Sequence, residues 1–252
     1  MSRHAIVLSI LLCLLCAVHT APAQGSYLTI GLGYALGSGT QILGAAQGPT
    51  STEGVYGSLG EGLKVNLAGG HMFTKSVGGE LGLSYWSGNS FEWTSDEGSS
   101  RIKRSVSGSG FIFIPGVVFS TEMQPVAPYG RAGLILGILK VTDELTSSDG
   151  YAATVEETGG VAWGYQGAFG LLVSTGGLAD FFAELTITSV TYSPSQTELT
   201  KLTYGGQDML GQVANKTITL EESVPNGSED KDLAVRRPFS SIGLAMGVRI
   251  PF

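Results

Sequence analysis

The sequence predicts an all-β chain: an eight-stranded antiparallel up-and-down transmembrane β-barrel with short periplasmic turns and long extracellular loops. Three observations predict it. Apolar residues recur with a period of two in eight segments. The connections between those segments alternate between short and long. The final segment, residues 240–252, alternates Leu244, Met246, Val248, Ile250 and Phe252 against Gly243, Ala245, Gly247, Arg249 and Pro251. Strict alternation gives an extended strand one apolar face and one small or polar face. A last strand that closes a barrel and ends at a membrane interface accounts for the aromatic at position 252.

Each strand rests on its own alternation. In the first, 27–36, Leu28, Ile30, Leu32, Tyr34 and Leu36 oppose Thr29, Gly31, Gly33 and Ala35. The second, 62–73, sets Leu63, Val65 and Leu67 against Lys64, Asn66 and Ala68, and the third, 77–86, sets Leu81, Leu83 and Tyr85 against Glu80, Gly82 and Ser84. The fourth lies within 105–119, where Phe111 to Phe119 is apolar on both faces and leaves the parity open. In the fifth, 127–138, Ala132, Leu134 and Leu136 oppose Arg131 and Gly133. The sixth, 161–173, opposes Trp163, Tyr165, Phe169 and Leu171 to Gly164, Gln166, Ala168 and Gly170; the seventh, 181–191, opposes Phe181, Ala183, Leu185 and Ile187 to Glu184, Thr186 and Thr188.

The connections at 74–76, 121–125 and 174–177 are short; those at 37–61, 87–104, 139–160 and 192–239 are long. This alternation places both termini in the periplasm of a bacterial outer membrane. Lipid cannot satisfy backbone N–H and C=O groups, so spanning strands must close into a ring. A soluble barrel with an apolar interior is the competing fold, because alternation alone does not say which face is inside. The charges on the Gly- and Ala-rich face, the loop lengths and the terminal Phe favour the membrane.

Residues 1–23 read as a secretory signal peptide: Arg3 and His4, an apolar run from Ala5 to Val18, then Ala21, Pro22 and Ala23 as a small-x-small cleavage pattern. The run is too short for a spanning helix, which needs about 20 apolar residues. Lipoprotein processing at Cys13 or Cys16 is disfavoured, since each follows a Leu. Both cysteines lie in this leader, so residues 24–252, the barrel domain, carry no thiol chemistry. The formal charge of −7 becomes more negative once Arg3 is removed, which argues against a nucleic-acid partner. Gly is frequent, at 38 residues, without a three-residue period, and suits the crowded interior of a small barrel.

The leader ending at Ala23, the segment Pro128 to Gly133, the segment Phe182 to Leu185 and the Gly-rich last strand together resemble the outer-membrane β-barrel domain family of small OmpA/OmpX-like barrels. The resemblance implies residence among outer-membrane lipids and insertion by the barrel-assembly machinery, which reads the last strand and its terminal Phe252. Pro251 departs from the usual pattern. It lacks an N–H, so it must sit at the ladder's end or at a non-bonded position.

Lys64, Glu80, Arg131, Glu184 and Arg249 are expected to face the lumen and to pair there, since buried charges need partners. An eight-stranded barrel is just wide enough for side chains to fill. The expected role is therefore structural or surface-interacting: the barrel anchors, and the long loops, 192–239 above all, meet an extracellular partner. A small channel or a transporter for ions or small or apolar solutes is the alternative, and a lipid-modifying outer-membrane enzyme ranks below it. No enzyme, cofactor or metal site is expected. His71, the one histidine after the leader, lies near the turn side of the second strand with no evident acid. The acidic clusters at 143–157 and 221–232 lack EF-hand spacing and read as solvated loop surface.

Overall fold

The computed structural model describes residues 25–39, 41–48, 50–97, 100–121, 123, 125–224 and 230–252. The expected signal peptide lies outside them, as do parts of the 121–125 turn and the 192–239 connection. In chain order the first strands are β1 (Ser26–Gly37), β2 (Gln41–Gln47), β3 (Thr52–Gly57), β4 (Gly62–Met72), β5 (Val77–Gly88), β6 (Phe91–Glu97) and β7 (Ser100–Ser120). Next come β8 (Val126–Ser147), β9 (Tyr151–Thr158), β10 (Val161–Val173), β11 (Asp180–Ser193) and β12 (Gln196–Tyr204). The short β13 (Gln207–Asp208), β14 (Thr217–Glu221), β15 (Lys231–Leu233) and β16 (Arg237–Pro238) precede β17 (Ser241–Pro251).

Eight of these form a closed antiparallel ring in the order β1, β4, β5, β7, β8, β10, β11, β17 and back to β1. They are the eight strands the alternation predicts. Leu28 to Leu36 of β1 pair with Ile250 to Ile242 of β17, which closes the barrel. Pro251 is harmless where it stands. Phe252 N–H donates to Ser26 O at 2.8 Å, and Ser26 N–H donates back at 3.1 Å. The preceding nitrogen, that of Pro251, therefore turns away from β1 toward β11, whose ladder with β17 ends at Asp180 and Arg249.

The faces follow the sequence period. Ile30, Leu32, Leu67, Leu83, Leu136, Phe169, Leu185, Leu244 and Met246 are all exposed, in a band that runs around the ring. Folded soluble monomers rarely leave contiguous apolar patches above a few hundred Å²; this band suits hydrocarbon. Phe73, Phe119 and Phe181 are exposed near its turn end, and Tyr34, Tyr85, Trp163 and Tyr165 toward its loop end. The open parity of the fourth strand resolves: Phe111, Val117 and Phe119 point out, while Ile112 and Val118 are buried inside.

Glycine on the inner face makes room for rings. A Cβ on Gly70 would fall 2.1 Å from Tyr27 Cζ, and one on Gly31 would fall 2.8 Å from Phe182 Cζ. The inner glycines of β1 and β4 thus position the aromatic side chains of the turn end.

The long connections differ from the expectation of loops. β7 and β8 pair from Ile102 and Ser147 down to Ser120 and Tyr129. At ~3.3 Å per residue β7 is roughly 70 Å long, where about ten tilted residues suffice for the hydrocarbon. Its upper half therefore stands clear of the apolar band. There β6 pairs with β7, β9 with β8, β12 with β9, and β14 with β12, and β15 adds in parallel to β14. The β2–β3 hairpin packs on β6, with Gln47 N–H donating to Ser95 Oγ at 3.2 Å.

Candidate functional site

Three side-chain layers occupy the inside of the barrel. At the turn end, Arg131 on β8 reaches Glu80 on β5 through Nη1 at 2.7 Å and Glu184 on β11 through Nη2. The carboxylates are held further by tyrosines: Tyr27 OH donates to Glu80 at 3.0 Å and Tyr129 OH to Glu184 at 2.8 Å. The Arg249 guanidinium lies 4.2 Å from the Tyr27 ring centre and 5.3 Å from that of Tyr129. Tyr27, Val118, Tyr129 and Phe182 pack together as the apolar part of this layer.

Of the five charges expected to pair inside, the structure joins Glu80, Arg131 and Glu184, and stacks Arg249 on their tyrosine partners. Lys64 does not join them, which corrects that expectation. It shares their face but lies six positions up the β5 ladder from Glu80, opposite Trp86. Its Nζ donates to Ser241 Oγ at 2.9 Å and sits 4.1 Å from the Trp86 ring centre. The period of two fixes which face a residue takes and says nothing about its depth along the lumen.

The middle layer is small and polar: Thr29, Asn66, Ala68, Gly82, Ser84, Gln166 and Thr186. Above it the loop end is sealed. Leu59, Trp86, Ile112, Ile135, Leu139, Val141, Val190, Tyr192 and Phe239 form one buried apolar cluster. Phe239 lies edge-on to Trp86 at 5.6 Å and to Tyr192 at 6.0 Å. The backbone ties the seal down: Phe239 N–H donates to Val190 O and Leu59 N–H to Pro238 O, each at 2.9 Å. Sequence reasoning missed this plug because Leu59 and Phe239 come from connections read as loop. The inward parity of Tyr27 and Tyr129, shared with Thr29 and Arg131, was the available signal for the two tyrosines.

Above the plug, ion pairs join the loop strands. Arg104 on β7 forks onto Asp143 on β8, with Nε at 2.8 Å from Oδ1. Arg237 on β16 reaches Glu157 on β9, with Nε 2.8 Å from Oε2. Hydrogen bonding to Asp143 raises the Arg104 pKa above its ordinary value, and hydrogen bonding to Glu157 does the same for Arg237. Lys140 pairs with Glu156 at 2.9 Å and Lys231 with Glu221 at 2.8 Å. Of the acidic loop residues read as solvated surface, Asp143, Glu156, Glu157 and Glu221 are thus paired across strands, while Glu144, Asp149, Asp230 and Asp232 are exposed. His71 is half-buried beside Phe73, its Nδ1 3.0 Å from Ser26 Oγ.

One irregularity interrupts the wall. The β7–β8 ladder breaks between Phe113–Leu136 and Gly116–Gly133, at Pro115. A groove of about 660 Å³ opens on the outer side there, lined by Pro115, Leu134, Tyr165, Gly167 and Ile187 among others. Gly116, Val117, Ala132, Gly133 and Gln166 line both this groove and a small cavity on the lumen side.

The fold and the lumen define a class: an eight-stranded up-and-down β-barrel with an apolar outer band and a filled interior. Among solved structures the chain is similar to the outer membrane protein OprG from Pseudomonas aeruginosa. That match has 15% identity and a TM-score of 0.43, and covers 92% of this chain and 98% of that one. It is also similar to Ail, the attachment invasion locus protein of Yersinia pestis. One Ail structure, in complex with the heparin analogue sucrose octasulfate, matches at 16% identity and a TM-score of 0.35, covering 90% of this chain and 99% of that one. Another Ail structure matches at 14% identity and a TM-score of 0.32, covering 89% and 99%. No protein-family model matches the chain, and no curated protein does.

Proposed function

We propose that this protein is a non-enzymatic anchor of the bacterial outer membrane that holds a rigid β-platform outside the cell for contact with a surface partner. One observation carries the reading: the lumen is closed by side chains at both ends, while β7 and β8 run on past the apolar band into a sheet with β6, β9, β12, β14 and β15. A sealed barrel offers membrane insertion and stiffness; a stiff sheet of paired strands offers a preformed contact surface, which binds at lower ordering cost than mobile loops. In this reading both termini face the periplasm, the lipids of the outer membrane contact the band, and the barrel-assembly machinery inserts the chain. The lone histidine of residues 24–252 is bonded to Ser26 and packed beside Phe73 at the turn end, which supports the non-enzymatic reading.

Planar-bilayer recording of the purified protein tests the seal: no reproducible open level is expected, and a stable conductance at low voltage would refute the anchor reading. Cysteines placed at Thr203 and Lys201 should react with an impermeant maleimide on intact cells, and cysteines near Thr175 should not.

The break at Pro115 favours a second reading, in which small apolar solutes leave the lumen sideways into the membrane. Liposome uptake of an apolar dye should then fall when Pro115→Ala restores a backbone donor to the ladder. Equal uptake by the two proteins would dismiss this route.

A further inference from the structure

Lys64 carries a charge that the rest of the lumen does not balance. The residue is 8% exposed, and among the described residues it pairs with no carboxylate. An ammonium offers three donors and no acceptor. One donor goes to Ser241 Oγ, and the Trp86 ring covers another side without neutralising the charge. The nearest inward carboxylate along the adjoining strand, Glu80, is six positions away on β5, roughly 20 Å at ~3.3 Å per residue. Glu80 is already held by Arg131 and Tyr27.

The neighbouring groups have the same deficit. Thr188 is the cross-strand partner of Ser241, is 2% exposed, and has an Oγ1 without a partner. Trp86 Nε1, a donor only, is buried without a partner as well. Ser241 accepts from Lys64 through one of its two lone pairs and keeps its own proton to give. Directly below lies a cavity of water size that Lys64 lines with Asn66, Ser84 and Thr186. Burying an unpaired charge or an unsatisfied donor is costly. What this region lacks, from every side, is an acceptor with negative charge.

We propose that the lumen beneath the plug binds one small monovalent anion of the halide class, held by the Lys64 ammonium with the hydroxyls of Ser241 and Thr188. The plug above shields the site from bulk water, so the attraction is little screened. Such an anion completes the hydrogen bonding of Lys64 and ties β4, β11 and β17 together at one point.

Bromide is the probe. Crystals of the full barrel grown or soaked in bromide should show one anomalous peak in contact with Lys64 Nζ, and that peak should vanish in Lys64→Met. In solution, replacing gluconate by chloride at equal ionic strength should raise the thermal unfolding midpoint of the wild type by several degrees, and the shift should vanish in Lys64→Met. No bromine peak at Lys64 in the wild type would overturn the proposal, as would a peak or a chloride shift that survives Lys64→Met. Should Lys64→Met fail to fold, Thr188→Val keeps the ammonium and removes one donor. It should lower bromide occupancy several-fold, and unchanged occupancy would count against the site.

Discussion

Arg131 joins two carboxylates that are otherwise almost out of water. Its side chain is 19% exposed; those of Glu80 and Glu184 are 7% and 1% exposed. Arg131→Met removes both ion pairs at once and leaves the carboxylates facing each other across the lumen. Only the tyrosine hydroxyls and the stacked Arg249 then remain near them. Breaking a buried pair by deleting one partner costs about 3–5 kcal/mol, because an uncompensated charge stays behind. The unfolding equilibrium should therefore shift by roughly a hundred- to several-thousand-fold, at ~1.4 kcal/mol per factor of ten. Urea titration of the protein in lipid vesicles, read by tryptophan fluorescence and by the gel shift of the unheated barrel, measures it. Adding Glu80→Gln and Glu184→Gln to Arg131→Met should recover more than half of the loss, since replacing a whole buried ionic group is often neutral. A loss below about 1 kcal/mol, the value of an exposed pair, would mean that water screens these charges. The filled lumen would then be wrong.

Three further outcomes follow from the same geometry. Phe239→Ala empties the centre of the plug, should cost about 3–5 kcal/mol by the cavity it leaves, and should produce conductance events in planar bilayers that the wild type lacks. Leu134→Arg puts a cation in the middle of the outer band; vesicle unfolding should show a loss of about 2–4 kcal/mol, as for cations at the bilayer midplane, whereas a soluble barrel would show almost none. Arg237→Ala unties β16 from β9, so hydrogen exchange should quicken in 151–158 and 196–204 while the amides of β1 and β17 keep their protection.

The barrel was legible because its cause is local. An alternating strand such as Phe181 to Ile187 states its own faces, and eight of them with short and long connections in turn admit few topologies. Phe111 to Phe119 was not legible, since apolar residues fill both faces there: outward ones meet the band, and Ile112 and Val118 meet the plug and the turn-end layer. The depth of a charge along the lumen was hidden too. Lys64 and Glu80 share a face, but only the register of β4 on β5 sets them far apart. The loop strands escaped detection because their alternation is interrupted: in β12 a bulge between Leu199 and Lys201 puts Lys201 on the face opposite to Thr197 and Leu199. Their pairing depends on partners distant in sequence. Pro251 needed the β1–β17 register before its missing N–H could be placed.

Spin-label accessibility along β11 in lipid vesicles tests the central claim most directly. Labels at Ala183, Leu185 and Ile187 should be relaxed by oxygen dissolved in the bilayer, while labels at Glu184, Thr186 and Thr188 should be reached weakly by oxygen and weakly by a water-soluble nickel reagent. That pattern is a membrane-embedded wall around a sealed interior. Strong access of the nickel reagent to 184, 186 and 188 would reveal an open aqueous pore, and strong access to 183, 185 and 187 would mean that the band does not face lipid at all.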